Sequence, residues 1–255
     1  MNILIAIPCF GGQLYTNFFT SILALIEVLK ENNIKYEIKT IQNESLITRA
    51  RNSFVSMFME NPIYSHLLFL DNDLLFQPNS IINLIKANKE IVGCSYPKKN
   101  LNWNKINKYS NQDDNDFFVQ CMATDMNYNL IVNNKNQCEI KDGLVEAQHV
   151  PTGMMLINKI AMSSIINKNR DYRYTNNVAG YDKSNTFYDL FRTGIVDGIY
   201  LSEDYYFCKL ARDCGIKLYL DTNSTIGHTG KMDYFGNLGL TLKHGDSLNL
   251  DSNII

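Results

Sequence analysis

The chain of 255 residues lacks the features that mark several protein classes. It has no excess of basic residues, because 24 Lys and Arg stand against 26 Asp and Glu, a formal net charge of -2. A nucleic-acid binder usually relies on a broad basic surface, so this balance argues against nucleic acid as a partner. No apolar run reaches the roughly 20 residues that span a bilayer, so we predict no transmembrane segment.

Cysteine is also sparse. The six cysteines show neither the density nor the C-x-x-C spacing of a disulfide scaffold or a zinc site. A reducing compartment is the simpler inference. The stretch from Met1 to Pro8 lacks a basic region ahead of its short apolar run, so it predicts a strand and not a signal peptide. We therefore expect a cytoplasmic protein, with enough apolar residues to bury one large core.

The most informative stretch is His66 to Asp73, HLLFLDND, in which a short apolar run ends in two carboxylates. Its length and composition predict a buried strand. Side chains two apart on an extended backbone point the same way, so Asp71 and Asp73 can converge on one cation or on the hydroxyls of one ligand. A simple turn is the alternative, since Asp and Asn are common where strands end.

The first hundred residues alternate between apolar strands and helical patterns. Strands are predicted at 3–7, 34–41, 66–73 and 91–96, and helices at 15–30, 45–52 and 80–86. This alternation is typical of an α/β fold, with a mostly parallel sheet and helices on both of its faces. Ligands of such sheets bind beyond the carboxyl ends of the strands, where Asp71 and Asp73 are expected to lie.

Two arginines lie close together in the second predicted helix. Arg49 and Arg51 are two residues apart and do not share a helical face, so we expect one to reach the ligand cleft and the other to be solvated. An arginine near a strand end can hold a pyrophosphate or a base carbonyl, although a surface salt bridge would explain either residue. Gly11-Gly12 lacks the third glycine of a dinucleotide fingerprint and is followed by no lysine.

The later part of the chain differs in composition and periodicity. Residues 98–116 are rich in Asn, Lys and Asp without sustained periodicity, so we expect a long loop. That loop and the tail after Lys231 are expected to order around substrates as lids. Pro151-Thr152-Gly153 precedes an apolar run from Met154 to Ile157. Glycine there lets a sugar or phosphate approach the backbone, although tight packing would require it equally.

Acidic residues and a histidine complete the set of candidates. Ser202-Glu203-Asp204 opens a helical pattern, in which the serine suits an N-cap and the acids suit the helix dipole. A strand-like run at 217–221 leads to Gly227-His228-Thr229-Gly230. A histidine among glycines favours an exposed loop that faces a ligand, and imidazole can join two carboxylates around a divalent ion. A purely structural histidine is the alternative.

Together these motifs resemble the GT-A glycosyltransferases, in particular family-2-like enzymes of bacteria and large DNA viruses. The resemblance lies in the order of Ile7-Pro8, the helix from Leu46 to Asn52, Leu70-Asp71-Asn72-Asp73, Pro151-Thr152-Gly153, Ser202-Glu203-Asp204 and Gly227-His228. It extends to about residue 230 and is patchy through residues 98–145.

The resemblance implies one GT-A catalytic domain over residues 1–255, a Rossmann-like αβα sandwich. Within it, residues 1–97 would form the nucleotide-binding half, 98–230 the acceptor and catalytic half, and 231–255 a C-terminal tail. A viral chain would act in the host cytoplasm.

The implied activity is metal-dependent transfer of a sugar from a nucleoside-diphosphate sugar, with UDP-sugar favoured, to a hydroxyl of a glycan or protein. Mn²⁺ or Mg²⁺ would be held by Asp73 and His228. Asp71 would contact the donor ribose or sugar, or the metal through a water. The metal would neutralise charge on the leaving nucleoside diphosphate.

The resemblance also implies residues for donor and acceptor. The donor would be bound by the first-strand loop and nearby residues, which are Pro8, Phe10, Gly11, Arg49, Asn52, Asp71 and Asn72. Gly153 would line the sugar or acceptor pocket. Asp204 would deprotonate the acceptor hydroxyl in an inverting hexosyltransferase, with Glu203 as the alternative. Inversion is favoured over retention, and in a retaining enzyme Asp204 would position the acceptor.

Two other functions fit parts of this pattern. A nucleotidyltransferase shares the α/β layout and the acidic metal site, but Gly11-Gly12-Gln13 lacks the basic residue of a triphosphate loop. A non-catalytic nucleotide-sugar or glycan-binding module is the third hypothesis. The presence of Asp71, Asp73, Asp204 and His228 together argues against such a degenerate site.

Overall fold

The computed structural model describes residues 1–110, 115–134, 137–176 and 187–245. Its strands are β1 Asn2–Cys9, β2 Lys35–Gln42, β3 His66–Leu70, β4 Leu74–Phe76, β5 Ile91–Cys94, β6 Asn129–Leu130, β7 Ile140–Lys141, β8 Leu144–His149, β9 Met154–Asn158, β10 Arg173–Tyr174, β11 Phe187–Tyr188, β12 Gly194–Val196, β13 Ile199–Leu201, β14 Leu218–Asp221, β15 Thr225–Thr229 and β16 Asp233–Asn237. Its helices are α1 Thr16–Glu31, α2 Ile47–Glu60, α3 Pro78–Ala87, α4 Trp103–Ser110, α5 Asp116–Met122, α6 Lys159–Lys168, α7 Glu203–Asp213 and α8 Leu238–His244.

The strands of the main sheet run in the order β2-β1-β3-β9-β5-β14-β8-β6, and β7 also pairs with β8. β1 is parallel to β2 and β3, and β5 is parallel to β14. β9 is antiparallel to β3 and β5, and β8 is antiparallel to β14. The predicted α/β sandwich with a mostly parallel sheet is confirmed, as is the alternation of strands and helices in its first hundred residues.

Side-chain alternation along the strands builds a core on each face of the sheet. In β1, Ile3, Ile5 and Ile7 pack with apolar residues of α1 and α3 on one face. Leu4 and Ala6 pack with residues of α2, α6 and α7 on the other. Successive strand residues point to opposite faces, so a strand buried on both sides is apolar throughout. In the part of the chain described, no helix combines the length and apolar character needed to cross a bilayer.

Helix α4 corrects the expectation of a long loop at 98–116. The segment WNKINKYS is helical although it is mostly polar, and Tyr109 is its buried residue. The Tyr109 hydroxyl donates to the carbonyl of His244 at 2.9 Å, and its ring packs edge-on against Phe118. Trp103, Ile106 and Tyr109 recur at three-residue spacing, but the helix has only eight residues and lies in a stretch rich in Asn and Lys, so this short pattern was missed in the sequence. Residues 111–114 lie outside the described part.

The segment after Lys231 is also ordered into elements where it is described. β16 pairs with β15, and β15 pairs with β4, in a smaller sheet beside the main one. α8 follows directly and contacts α5. The expectation of a lid at the C-terminal tail concerns residues beyond 245 as well, and those lie outside the described part.

Candidate active site

A cleft of about 520 Å³ opens where β1 and β3 end. Its lining comes from the two strand ends, the start of α2 and the first residue of α7, and includes Pro8, Phe10, Gln13, Tyr15, Glu44, Ile47, Arg51, Asp71, Asn72, Asp73 and Glu203. This is the edge of the sheet at which ligands of α/β folds bind. A larger hollow of about 1560 Å³ lies between α3 and β8 and contains none of the predicted site residues.

The two aspartates lie in a turn and not on an extended strand. β3 ends at Leu70, and the amide of Leu74 donates to the carbonyl of Asp71 at 3.3 Å. The turn is fixed from outside, since the amide of Asp71 donates to the carbonyl of Gly153 at 2.9 Å. The side chain of Asn72 donates to the carbonyl of Gln13 at 2.7 Å. The predicted strand at this position is therefore wrong, and the two carboxylates contact different partners, Arg51 for Asp71 and Lys99 for Asp73, although both residues line the cleft.

Asp73 directs its carboxylate toward two nitrogen groups. Its Oδ2 lies 2.6 Å from Nζ of Lys99 and 3.4 Å from Nε2 of His228. Burial raises the pKa of the Asp73 carboxyl, but the contacts with His228 and Lys99 outweigh this and leave the pKa below its ordinary value. Asp73 is therefore held as a carboxylate in a partly desolvated place.

His228 reaches Asp73 because two strands pair. In the register of β15 with β4, His228 lies opposite Leu74, the residue after Asp73. The amide of Thr229 also donates to the carbonyl of Asp73 at 2.8 Å. The exposed loop expected around His228 is thus wrong: the residue lies in a strand, and its side chain is 17% exposed. Strand pairing fixes its position more firmly than a loop would.

The tautomer of His228 follows from its other contact. Nδ1 lies 2.8 Å from the carbonyl oxygen of Pro97, and a carbonyl can only accept, so Nδ1 carries the hydrogen. In the neutral ring the lone pair is therefore on Nε2, which faces Asp73. A backbone carbonyl that orients the second nitrogen is the usual support of a metal-binding histidine.

These residues fit a divalent cation as a two-ligand site. Nε2 of His228 and Oδ2 of Asp73 face each other at 3.4 Å, so a cation between them could accept an electron pair from each. In this structure the ammonium of Lys99 supplies the positive charge beside Oδ2. Imidazole and carboxylate suit Mn²⁺, and Mg²⁺ commonly takes one or two carboxylates together with substrate phosphates. Within the described ranges, no group of three or more His, Cys, Asp or Glu is placed to hold a metal. Ligand oxygens would have to complete the coordination.

Arg51 is the cation at the base of the cleft. Its side chain is 4% exposed, and its Nη2 lies 3.1 Å from Oδ1 of Asp71. Its Nε lies 3.5 Å from Oε1 of Glu203, and its guanidinium lies over the ring of Phe69 at 5.5 Å. Burial lowers the pKa of Arg51, but the charges of Asp71 and Glu203 outweigh this, so the pKa is raised. Arg51 thus joins the β3 turn to the start of α7.

Arg49 and Asn52 do not line the cleft, which corrects their predicted role. Arg49 pairs with Glu44, with Nε 2.6 Å from Oε2 and Nη2 2.8 Å from Oε1. The prediction that one arginine of the pair reaches the cleft is confirmed, but that residue is Arg51. The choice depends on how α2 is rotated against the sheet, which the sequence alone does not give.

Asn52 is a buried structural residue. Its side-chain nitrogen donates to Oδ1 of Asp189 at 2.9 Å. Its side-chain oxygen accepts from the amides of Leu190 and Phe191 at 3.1 and 2.9 Å. These bonds occupy the amide group and attach α2 to the segment after β11, so a contact with base or ribose has no support from this position.

The start of α7 places two acids in different surroundings. Ser202 has the extended backbone of an N-cap, but its hydroxyl donates to Oδ1 of Asp204 and does not cap the helix. Oδ1 of Asp204 also accepts from the amide of Tyr205 at 2.9 Å. Glu203 lines the cleft and contacts Arg51. Burial raises the pKa of Glu203, and the charge of Arg51 only partly offsets this.

Gly153 serves packing and does not line the cleft. A Cβ at this position would lie 2.6 Å from the hydroxyl oxygen of Tyr96. The amide of Gly153 donates to that hydroxyl at 3.2 Å, and the Tyr96 ring lies edge-on to His228 at 5.1 Å. Burial, followed by the charges of Asp71 and Asp204, raises the pKa of Tyr96 well above its ordinary value. The predicted contact of Gly153 with a sugar is replaced by a role in positioning Asp71.

The first-strand loop lies where the donor was expected. Pro8 and Phe10 line the cleft, and the Phe10 side chain is 71% exposed. Gly11 has a φ of 75°, a conformation that favours glycine, and a Cβ there would meet nothing within 4 Å. The loop therefore offers an exposed aromatic ring beside an open backbone.

Comparisons with known proteins give only distant structural matches. No protein-family model matches the chain, and no curated protein matches its sequence. Among solved structures, A197 from STIV is 17% identical, with 90% of this chain and 86% of that chain covered and a TM-score of 0.47. A protein assigned as a glucose-1-phosphate thymidylyltransferase from Bacillus anthracis, solved with sucrose, is 9% identical, with 89% of each chain covered and a TM-score of 0.38. At these values neither carries an argument about function.

Proposed function

We propose that this chain is a metal-dependent glycosyltransferase. It would move a sugar from a nucleoside-diphosphate sugar, with UDP-sugar favoured, to a hydroxyl of a glycan or protein. The observation that carries the proposal is the pairing of Asp73 with His228 at the rim of a cleft that also contains Asp71, Arg51 and Glu203. The cleft at the ends of β1 and β3 thus has the proposed cation-binding pair at its rim, with a buried arginine and two acids beside it.

Asp73 and His228 would hold Mn²⁺ or Mg²⁺, with diphosphate oxygens in the remaining positions. When bound, the metal would supply positive charge that stabilises the leaving nucleoside diphosphate. His228 is prepared for this by Pro97, whose carbonyl keeps the lone pair on Nε2. A ligand whose tautomer and direction are already fixed loses little freedom when the metal binds.

Arg51 supports recognition of the donor from beneath the cleft. It fixes Asp71 through contacts to both carboxylate oxygens, at 3.1 and 3.4 Å. Asp71 can still accept hydrogen bonds from the hydroxyls of a ribose or sugar through its remaining lone pairs. Nη1 of Arg51 is buried and has no hydrogen-bond partner among the described residues. Leaving a buried N–H group without a hydrogen-bond partner costs free energy. An oxygen of the bound nucleotide sugar at this place would accept a hydrogen bond from Nη1.

Asp204 is the proposed base for the acceptor hydroxyl, and Glu203 the proposed positioning acid. Ser202 and the amide of Tyr205 both contact Oδ1 of Asp204, which leaves Oδ2 to accept a proton. Glu203 is engaged by Arg51 and so is less free to take that proton. In this arrangement Asp204 takes the proton of the acceptor hydroxyl, whose oxygen bonds to the anomeric carbon as the bond from that carbon to the nucleoside diphosphate breaks. Attack opposite the leaving group in this single displacement inverts the configuration of the sugar.

Product analysis tests the proposed function. The protein is incubated with UDP-, GDP- and dTDP-sugars and Mn²⁺, and in parallel with nucleoside triphosphates and sugar 1-phosphates. Slow release of nucleoside diphosphate from one donor, absent in Asp73→Ala, is the expected result. Pyrophosphate release in the parallel reaction would instead indicate a nucleotidyltransferase. Metal-dependent binding of a nucleotide sugar without either product would indicate a binding module.

A further inference from the structure

Lys99 is a charged residue of the site to which the proposed reaction gives no role. Its ammonium lies 2.6 Å from Oδ2 of Asp73, the same oxygen that faces Nε2 of His228. Its side chain is 35% exposed, so the contact lies at the rim of the cleft and not in the core. The ammonium therefore occupies the place where a divalent cation would contact Asp73.

Glycine at position 230 makes room for this lysine. A Cβ on Gly230 would lie 3.1 Å from Cδ of Lys99, closer than ordinary van der Waals contact. The stem of Lys99 thus passes directly over the backbone that follows β15. The ammonium also lies 6.0 Å from the centre of the Tyr15 ring, at the limit of a cation–π contact. Two elements therefore guide the side chain toward Asp73.

The backbone that carries Lys99 is fixed on both sides of the residue. The carbonyl of Pro97 accepts from Nδ1 of His228, and the amide of Lys98 donates to the carbonyl of Asp125 at 2.7 Å. The amide of Asn102 donates to the carbonyl of Ala123 at 2.8 Å. Lys99 is thus presented from a held segment, which makes its contact with Asp73 a built feature of the site.

We infer that Lys99 is an internal counter-cation of the metal site, which competes with the divalent ion for Oδ2 of Asp73. The inference rests on the proposed function, since it assigns regulation to that same site. Without donor, the ammonium neutralises Asp73 and weakens binding of the metal. A nucleoside diphosphate favours the metal over Lys99 at Oδ2 of Asp73. Its phosphates supply further ligands for the metal, and they also give Lys99 a new anionic partner. Metal and donor therefore bind together.

Lys99→Met separates this role from a purely structural one. The variant keeps the stem and removes the charge, while Lys98→Met removes a charge from the neighbouring exposed position. Mn²⁺ binding to the full chain is measured by electron paramagnetic resonance, with and without UDP. We expect Lys99→Met to bind Mn²⁺ alone roughly two- to fivefold more tightly than wild type, the range for losing a partly exposed ion pair that opposes binding. Lys98→Met should match the wild type.

A second variant tests the same contact without removing a charge. Gly230→Ala must shift the Lys99 stem by a few tenths of an ångström, so it should also strengthen binding of Mn²⁺ alone and reduce the gain from UDP, both by less than Lys99→Met does. Unchanged or weaker Mn²⁺ binding by Lys99→Met, with wild type still showing a gain from UDP, would overturn the inference and leave the proposed function standing. Wild type that binds no Mn²⁺ even with UDP would contradict both.

Discussion

Nε2 of His228 lies 3.4 Å from Oδ2 of Asp73, although one residue follows an early strand of the sheet and the other lies near the end of the described chain. The pairing of β4 with β15 creates this contact, because it sets His228 opposite Leu74. The carbonyl of Pro97 then directs the ring. Three segments that are distant in the sequence, the turn after β3, strand β15 and the segment at Pro97, thus meet at one site.

Asp73→Ala should abolish metal-dependent donor binding. The substitution removes the carboxylate that pairs with His228 and leaves a single protein ligand for the cation. Calorimetric titration with UDP in the presence of Mn²⁺, and again with EDTA, measures the effect. Asp116→Ala, at an exposed residue of α5, is the control and should bind as wild type does. Unchanged metal dependence in Asp73→Ala would refute the site assignment.

Asp204→Asn should spare donor binding and reduce sugar transfer by roughly 10²-fold or more, the usual effect of losing a general base. Asparagine keeps the size of the side chain and can still accept from the amide of Tyr205. Transfer rates at saturating donor and the affinity for UDP are measured on the same preparation. A variant that transfers sugar at the wild-type rate would exclude Asp204 as the base.

Arg51→Met should destabilise the fold more than Arg49→Met. Arg51 is buried between Asp71 and Glu203, so its removal leaves two partly buried carboxylates without their cation. Removing one partner of a buried ion pair costs about 3–5 kcal/mol, and the partial exposure of the acids reduces this to roughly 2–3 kcal/mol. Urea unfolding measures both variants. Equal stability of the two would show that Arg51 does not carry this part of the structure.

Asn52→Ala should lower stability and leave donor affinity intact. The side chain makes three hydrogen bonds to the segment at Asp189, Leu190 and Phe191, and each contributes about 1 kcal/mol. Unfolding in urea and binding of UDP at low temperature separate the two effects. A stable variant with weakened UDP binding would restore the donor-binding role that the sequence had suggested.

Much of the fold could be predicted from the sequence because its strands are short apolar runs buried on both faces. The run from Ile3 to Ile7 and the run before Asp71 gave the sheet and the edge at which the cleft lies. The direction of each strand could not be predicted from its apolar character. The run from Met154 to Ile157 has the same apolar character as its neighbours, yet β9 is antiparallel to them.

The candidate site was predicted at the level of residue types more than of contacts. Asp73 and Glu203 line the cleft, and His228 contacts Asp73, but the predicted base Asp204 is not among the lining residues. Arg51 was not distinguished from Arg49, because the answer depends on the rotation of α2. Lys99 had no signal at all, since it lies in a polar stretch and acts through a contact made only in three dimensions.

His149 should make the fold sensitive to acid. It is buried and stacked on Tyr205, with ring centres 3.9 Å apart, and burial together with the charge of Arg212 lowers the pKa of His149 from 6.5 to about 3. The unfolded chain therefore takes up a proton in the window between these values while the folded chain does not. The contribution of neutral His149 to the free energy of unfolding is present in full above the unfolded pKa and is lost as the pH falls through this window.

His149→Phe preserves the stack and removes the titration. Between about pH 6 and about pH 4.5 the wild type should lose roughly 2 kcal/mol of unfolding free energy relative to this variant. His244→Phe, at an exposed residue, controls for the loss of an imidazole. Urea unfolding across this pH range provides the measurement, and parallel pH profiles of wild type and His149→Phe would contradict the expectation.

The proposed pairing of Asp73 and His228 around a cation is tested most directly by a crystal structure of the chain with UDP and Mn²⁺, recorded with anomalous scattering. We expect an anomalous peak about 2.1 Å from both Oδ2 of Asp73 and Nε2 of His228, with diphosphate oxygens beside it. Lys99 should have left Asp73 for a phosphate. A peak elsewhere on the protein, with the ion pair of Lys99 and Asp73 intact and UDP bound, would contradict the account.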